Sequence, residues 1–210
     1  MEQTETSYDT IQAVATAELT EKRSRFIAVI APISTCDEAS AFVASQREAH
    51  HDARHTVWAW RLKEQKGERC CDDGEPQGTG GSPVLEVLRR AGLVDVCVAV
   101  TRYFGGVLLG AGGLTRAYGS SAALAVTAAC RVTMRPCVRI AVQMNYAQQG
   151  LVARLWPPAA RVENTVYDEA VTVIALIPAE EMENLAHALT EATAATVSLR
   201  QQEYVFAALS

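Results

Sequence analysis

The sequence predicts an α+β protein built from two domains. Three observations lead there. The chain has 210 residues, long for one small domain. Residues 94–100 form a run that is apolar apart from Asp95, between two helical stripes, the pattern of a sheet strand buried on both faces. Beyond residue 136 the pattern changes to short elements in the order β-α-β-β-α-β.

The elements read as follows. Residues 1–9 are polar and are expected to be disordered. Partial alternation over 11–17 suggests a weak strand, and the β-branched run 25–30 a better one. Thr35 and Glu38 have capping-box spacing, so a helix is expected to run from there to about His50. Residues 55–62 alternate as a strand, and 63–81 are polar and glycine-rich, expected as one long loop. Ser82-Pro83 is a helix start, with Ser82 as the cap, and Gly92 is the stop. After the apolar strand and a second glycine-rich stretch, 105–113, a small-residue helix is expected over 114–130. Residues 131–136 break the pattern and are expected as a linker, dividing the chain into domains 1–135 and 136–210. The second domain is expected to have strands at 138–144, 161–167, 170–177 and 197–206. Its helices are expected at 147–156 and from Pro178. That order is the split βαβ of a ferredoxin-like domain.

Composition narrows the function. Hydrophobic residues make up 49%, enough for real cores, and aromatics are few. The net charge is -5, unlike the strongly basic character of a protein that coats DNA. Residues 1–135 carry 15 Lys+Arg against 16 Asp+Glu, whereas 136–210 carry 4 against 8. A nucleic-acid contact would therefore need a local basic patch in the first domain. The six cysteines, at 36, 70, 71, 97, 130 and 137, have no zinc or redox spacing. No apolar run has membrane-spanning length, and the first ten residues do not resemble an export signal. A cytoplasmic protein that makes no membrane contact is expected.

Four stretches carry candidate chemistry. Asp72, Asp73 and Glu75 share a loop with Gly78 and Thr79 just before a helix start. Such a loop suits an anion at the helix N-terminus, an arginine, or Mg²⁺ on the carboxylates; it also suits a plain solvated turn. No other cofactor is expected. The second stretch holds Arg102, Tyr103, Phe104, Gly105, Gly106, Gly110, Gly112, Gly113, Arg116 and Tyr118. It lies between a buried strand and a helix, a context in which phosphates are held, and Tyr103, Phe104 and Tyr118 are candidates to stack on a base; its glycines equally permit tight strand–helix packing and its aromatics a place in the core. The third is the basic strand entry around Lys22, Ser24 and Arg25. The fourth is the segment with His50, Arg54 and His55. Its histidines lack a metal-site partner, and a hydrogen bond to the acidic loop is the better reading. The acidic loop, the Arg-Tyr-Phe-Gly-Gly loop and the 50–55 segment are expected to line one concave face.

Taken in order and spacing, these stretches resemble the YigZ/IMPACT family: Lys22-x-Ser24-Arg25-Phe26, His50-x-x-Ala53-Arg54-His55, Asp72-Asp73-Gly74-Glu75-Pro76-x-Gly78-Thr79, and Arg102-Tyr103-Phe104-Gly105-Gly106 with the glycines and Tyr118 that follow. The resemblance extends through essentially the whole chain. His51 stands where the family motif usually has proline, and Gly80 and Ser82 also depart from it. The resemblance implies a first domain similar to the second domain of ribosomal protein S5. It also implies a ferredoxin-like second domain similar to late domains of elongation factor G. Eukaryotic members of the family act by binding a partner on the translation-stress kinase pathway.

The leading expectation is thus a translation-associated protein that binds RNA, the ribosome or a translation-related protein. Lys22, Arg25, Arg54, Arg102 and Arg116 would meet phosphates, and Tyr103 and Tyr118 would pack or stack. The alternatives are an enzyme acting on a phosphorylated small molecule or nucleotide, and a protein-binding module whose acidic loop engages a basic partner. No catalytic residue is singled out by the sequence.

Overall fold

The computed structural model describes residues 6–63 and 67–209, and the chain divides into two compact units, Tyr8–Val132 and the segment from Thr133 onward.

The first unit is organised by strand β6 (Val96–Tyr103). Every residue from Val96 to Arg102 is buried, as a strand covered on both faces requires. Around it stand β2 (Ala15–Glu21), β3 (Ser24–Pro32), β4 (His55–Leu62) and β5 (Gly67–Cys71). The sheet order is β2-β3-β6-β4-β5, with all neighbours antiparallel. One face carries Phe26, Ala28, Ile30, Val57, Ala59, Val98 and Val100, packed under helices α2 (Gly81–Ala91) and α3 (Gly110–Ala128). The other face carries Trp60, Leu62 and Cys97 under Ala39 and Val43 of α1 (Cys36–Ala49). Burial in that layer pushes the Cys97 thiol up to about 12, leaving it an inert apolar filler.

Several expectations are corrected. Residues 1–5 lie outside the described residues. Tyr8–Ile11 is not disordered but forms strand β1, anchored where Asp9 accepts from the Val94 N–H. The 63–81 loop contains β5, a polar edge strand hidden from hydropathy. Its Glu68 sits between Arg61 and Arg89. Ser82 is not the α2 cap: Gly80 holds that position and offers no side chain. The α3 helix starts at Gly110, inside the glycine-rich stretch. The expected linker 131–136 is the start of one long strand, β7 (Arg131–Met144). Pro136 fits there because the β9 (Val171–Pro178) ladder begins only at Cys137, so its missing N–H removes no bond on that side.

In the second unit β10 (Ser198–Ala207) pairs with β7, β7 with β9, and β9 with β8 (Arg161–Tyr167), all antiparallel. With α4 (Gln149–Val152) and α5 (Met182–Thr193), this is the ferredoxin-like order. Val138, Ile140, Val142 and Ile177 pack with Leu185 and Leu189. The helix expected over 147–156 shrinks to α4 plus a tight turn, Tyr146–Gln148, where Asn145 and Gln148 cap each other reciprocally.

Leu88 of α2 is fully buried against this first sheet. Leu88→Ala is expected to lower unfolding free energy by about 2–5 kcal/mol, measured by chemical denaturation with the slope unchanged.

Candidate functional site

The antiparallel register brings the candidate stretches to one end of the first sheet. Phe26 stands opposite Arg102, Arg102 opposite His55, and Arg25 opposite Tyr103. The β2–β3 turn, the start of β4 and the exit of β6 therefore meet. The turn residues Lys22 and Arg23 have φ of 46° and 68°, between the paired Glu21 and Ser24. A tight two-residue hairpin demands that left-handed backbone. Gly105 locks onto this turn. A Cβ there would lie 2.0 Å from the carbonyl carbon and oxygen of Arg23, so only glycine fits. The buried Ser24 hydroxyl accepts from the Gly105 N–H at 3.2 Å. Ser24 is thus a clamp between the basic turn and the glycine loop.

The acidic loop folds inward. Asp72 Oδ2 accepts from the Gly78 N–H at 2.8 Å, and its Oδ1 from Gly80 at 2.9 Å and Gly81 at 2.8 Å. This remote carboxylate caps α2 in place of the expected Ser82. Burial pushes the Asp72 carboxyl up, but the three N–H donors outweigh it and hold it below its ordinary range. Asp73 Oδ1 accepts from Arg47 at 2.5 Å and its Oδ2 from the Thr56 N–H at 2.7 Å. The Asp73 carbonyl lies 2.8 Å from His55 Nδ1, so that nitrogen carries the proton and donates. Thr79 closes the loop through its hydroxyl to the Pro76 carbonyl at 2.6 Å.

Glu75 is the innermost of the acids, 9% exposed. Its Oε1 accepts from Arg102 Nη1 and from the Tyr118 hydroxyl, each at 2.7 Å. Tyr118 is fully buried, and burial, then the Glu75 carboxylate, push its phenol far up, so it stays a neutral donor. The Arg102 guanidinium lies over both the Phe26 and Phe104 rings, 5.6 Å from each centroid. Phe26 meets Tyr118 edge-on at 5.1 Å. Arg102 Nε is the one buried side-chain nitrogen or oxygen without a hydrogen-bond partner among the described residues.

A second cluster ties in the 50–55 segment. The Tyr103 hydroxyl donates to Asp52 Oδ1 at 2.9 Å and lies 3.0 Å from His50 Nδ1. The phenol's single proton goes to Asp52, so His50 Nδ1 is the donor to the phenolic oxygen. This bond holds the Asp52 carboxyl below its usual range. Tyr103 also lies beneath the Arg25 guanidinium at 6.0 Å. Arg25 itself binds Glu18 in fork fashion, at 2.7 and 2.8 Å.

Several sequence expectations change. Tyr118 is sealed in the core and offers no stacking face; Phe104, 54% exposed, does. Arg102 is 7% exposed and spent on Glu75, and Arg25 is spent on Glu18. The carboxylates considered for Mg²⁺ are engaged by internal donors. Among the described residues no group of three or more His, Cys, Asp or Glu stands together as a metal site. Lys22, Arg54 and Arg116 are exposed, as is Arg23, and no described residue binds their side chains. Arg116 lies back over the first turn of α3, its Nη1 3.7 Å from the position a Cβ on Gly112 would take. Gly106 and Gly110 are exposed with φ of 80° and 70°, and Gly113 is half-buried in the same first turn. Tyr118 ties α3 to the other stretches through Glu75 and Phe26. Arg47, Asp52 and Thr56 were not expected. Arg47 is a single base in the last turn of α1, and nothing in the sequence marks it.

Residues 22–126 match the family model described as the Impact N-terminal domain, and residues 142–196 match a domain of unknown function, DUF1949. The chain is 34% identical to "IMPACT family member YigZ" of Escherichia coli over 85% of this chain and 89% of that protein. It is 45% identical to "IMPACT family member YvyE" of Bacillus subtilis, over 55% of this chain and 54% of that protein, so it spans about half of that relative's length. A solved structure titled "Crystal structure of an hypothetical protein" superposes with a TM-score of 0.63 at 31% identity, covering 94% of this chain and 98% of the other.

Two outcomes test this geometry. Glu75→Leu leaves Arg102 charged and buried, and is expected to cost about 3–5 kcal/mol by denaturant unfolding. Combining it with Arg102→Met is expected to recover most of that loss. For Asp72, the folded carboxyl titrates below its unfolded value of about 3.9. Its stabilisation is therefore present above that pH and lost as pH falls through the folded value. Asp72→Asn is expected to cost about 1–3 kcal/mol at neutral pH and to flatten the acid limb of the stability–pH curve.

Proposed function

The chain belongs to the IMPACT family, and from that premise we propose that it is a translation-associated binding protein that meets RNA phosphates through the loops of its first unit. One observation carries the reading. The three carboxylates of the acidic loop are hydrogen-bonded within the fold, while Lys22, Arg23, Arg54 and Arg116 face solvent with no side-chain partner among the described residues. Four exposed cations are thus gathered in this unit on a chain whose net charge is -5, with Glu21 and Asp52 as exposed acids beside them. Arginine and lysine in such a setting position a phosphate backbone without reading its sequence. Both kinds of domain recur in ribosomal proteins and translocases, a fold-level analogy in support. The histidines and carboxylates of the site serve as internal ties, with no nucleophile–base alignment, which disfavours the enzyme alternative.

The test is fluorescence anisotropy with ribosomal RNA fragments across a salt series, alongside co-purification from lysate with and without ribonuclease. Combined Lys22→Ala, Arg23→Ala, Arg54→Ala and Arg116→Ala substitutions are expected to weaken binding at least about tenfold. They should also reduce the salt slope by about one unit per lost phosphate contact. Binding that ignores both salt and these substitutions would sink the reading.

A further inference from the structure

We infer that Phe104 is a stacking platform for an unpaired base, so that the RNA taken at this site is single-stranded. The inference rests on the RNA reading above and adds the class of RNA.

The ring is large, apolar and 54% exposed, at the exit of the most buried strand in the molecule. An aromatic in that position normally turns inward; this one is held out. The Arg102 guanidinium lies over its ring, 5.6 Å from the centroid, and equally over the ring of Phe26, itself fully buried and met edge-on by Tyr118. Arg102 is fixed in turn by Glu75. Phe104 is therefore the exposed member of a cluster whose other members, Arg102, Phe26 and Tyr118, are buried. A base landing on its open face orders little that is not already ordered. The next residue, Gly105, is pressed against the Arg23 backbone, which sets the platform beside the Lys22–Arg23 turn. The other free cation of the loop–helix segment, Arg116, follows on α3.

A stacking face beside separate cations is the pattern of single-strand recognition, where aromatic rings take bases and cations track the backbone. In a duplex both faces of every internal base are already covered, so Phe104 would contribute nothing. A free mononucleotide would engage the ring but has phosphate at one place only, which leaves most of the cations idle.

The experiment compares wild type, Phe104→Ala and Phe104→Trp by anisotropy at one salt concentration. The probes are a single-stranded RNA of about ten nucleotides, a duplex of the same sequence, and a nucleoside monophosphate. The expected result is tighter binding of the single strand than of the duplex or the mononucleotide. Phe104→Ala should weaken the single strand about tenfold or more and leave the weak, charge-driven duplex binding unchanged. Phe104→Trp should retain wild-type affinity, which separates stacking from any loosening of the loop. Equal binding of single strand and duplex, or an Ala variant as tight as wild type, overturns the platform and leaves the RNA reading intact. A mononucleotide as tight as the oligomer overturns it in favour of a small-molecule site. If wild type binds no RNA in any form, the functional reading fails with it.

Discussion

A single carboxylate oxygen, Oε1 of Glu75, accepts from Arg102 and from Tyr118 in a place water barely reaches, and the N-terminal site is assembled around it. Glu75 and its two partners belong to three elements: the loop after β5, the end of β6 and the third turn of α3. Breaking the pair would strand a charge in the core, so the loop closes in one arrangement only. A buried ion pair need not add net stability, because desolvating both charges offsets their attraction. A well-packed apolar pair would be comparably stable, but it would not dictate which loop meets which strand. From that node the order spreads outward, through the guanidinium to the Phe26 and Phe104 rings and through the loop backbone to Asp72, which caps α2.

The same internal bonding decides what the surface presents. A loop with three acids looks, residue by residue, like a repulsive wall for RNA or a basket for a cation. Folding consumes those charges. Asp72 is taken by three N–H groups, Asp73 by Arg47 and Thr56, and Glu75 by the node. Lys22, Arg23, Arg54 and Arg116 remain outside and form no ion pair among the described residues. A formal charge count registers a sign for each side chain but not whether that charge faces solvent, and in this molecule the two diverge.

The β6 strand, the C-terminal β-α-β-β-α-β order and the amphipathic α2 stripe were legible because burial writes a period into hydropathy. Elements without that period were misread. The edge strand β5 is polar because one of its sides has no neighbour. The β7 strand passes through Pro136, a residue that normally signals a break, because the proline lies where no β9 bond is needed. Shortening of the α4 region is likewise invisible to a helix pattern, since Gln149–Val152 ends where local turn chemistry takes over.

The sequence by itself determined the fold class and the two-unit architecture, and it led to the expectation that the acidic loop, the Arg-Tyr-Phe-Gly-Gly loop and the 50–55 segment meet on one face. Only the tertiary structure decided which of those residues face in. Tyr118 and Arg102 became core, Phe104 became surface, and Arg47 and Asp52 joined without any sequence signal. The reason is that pairing within the site depends on register and on long separations along the chain, 81 residues between Ser24 and Gly105. Local composition records neither; it lists the charges and rings, and the register chooses their partners.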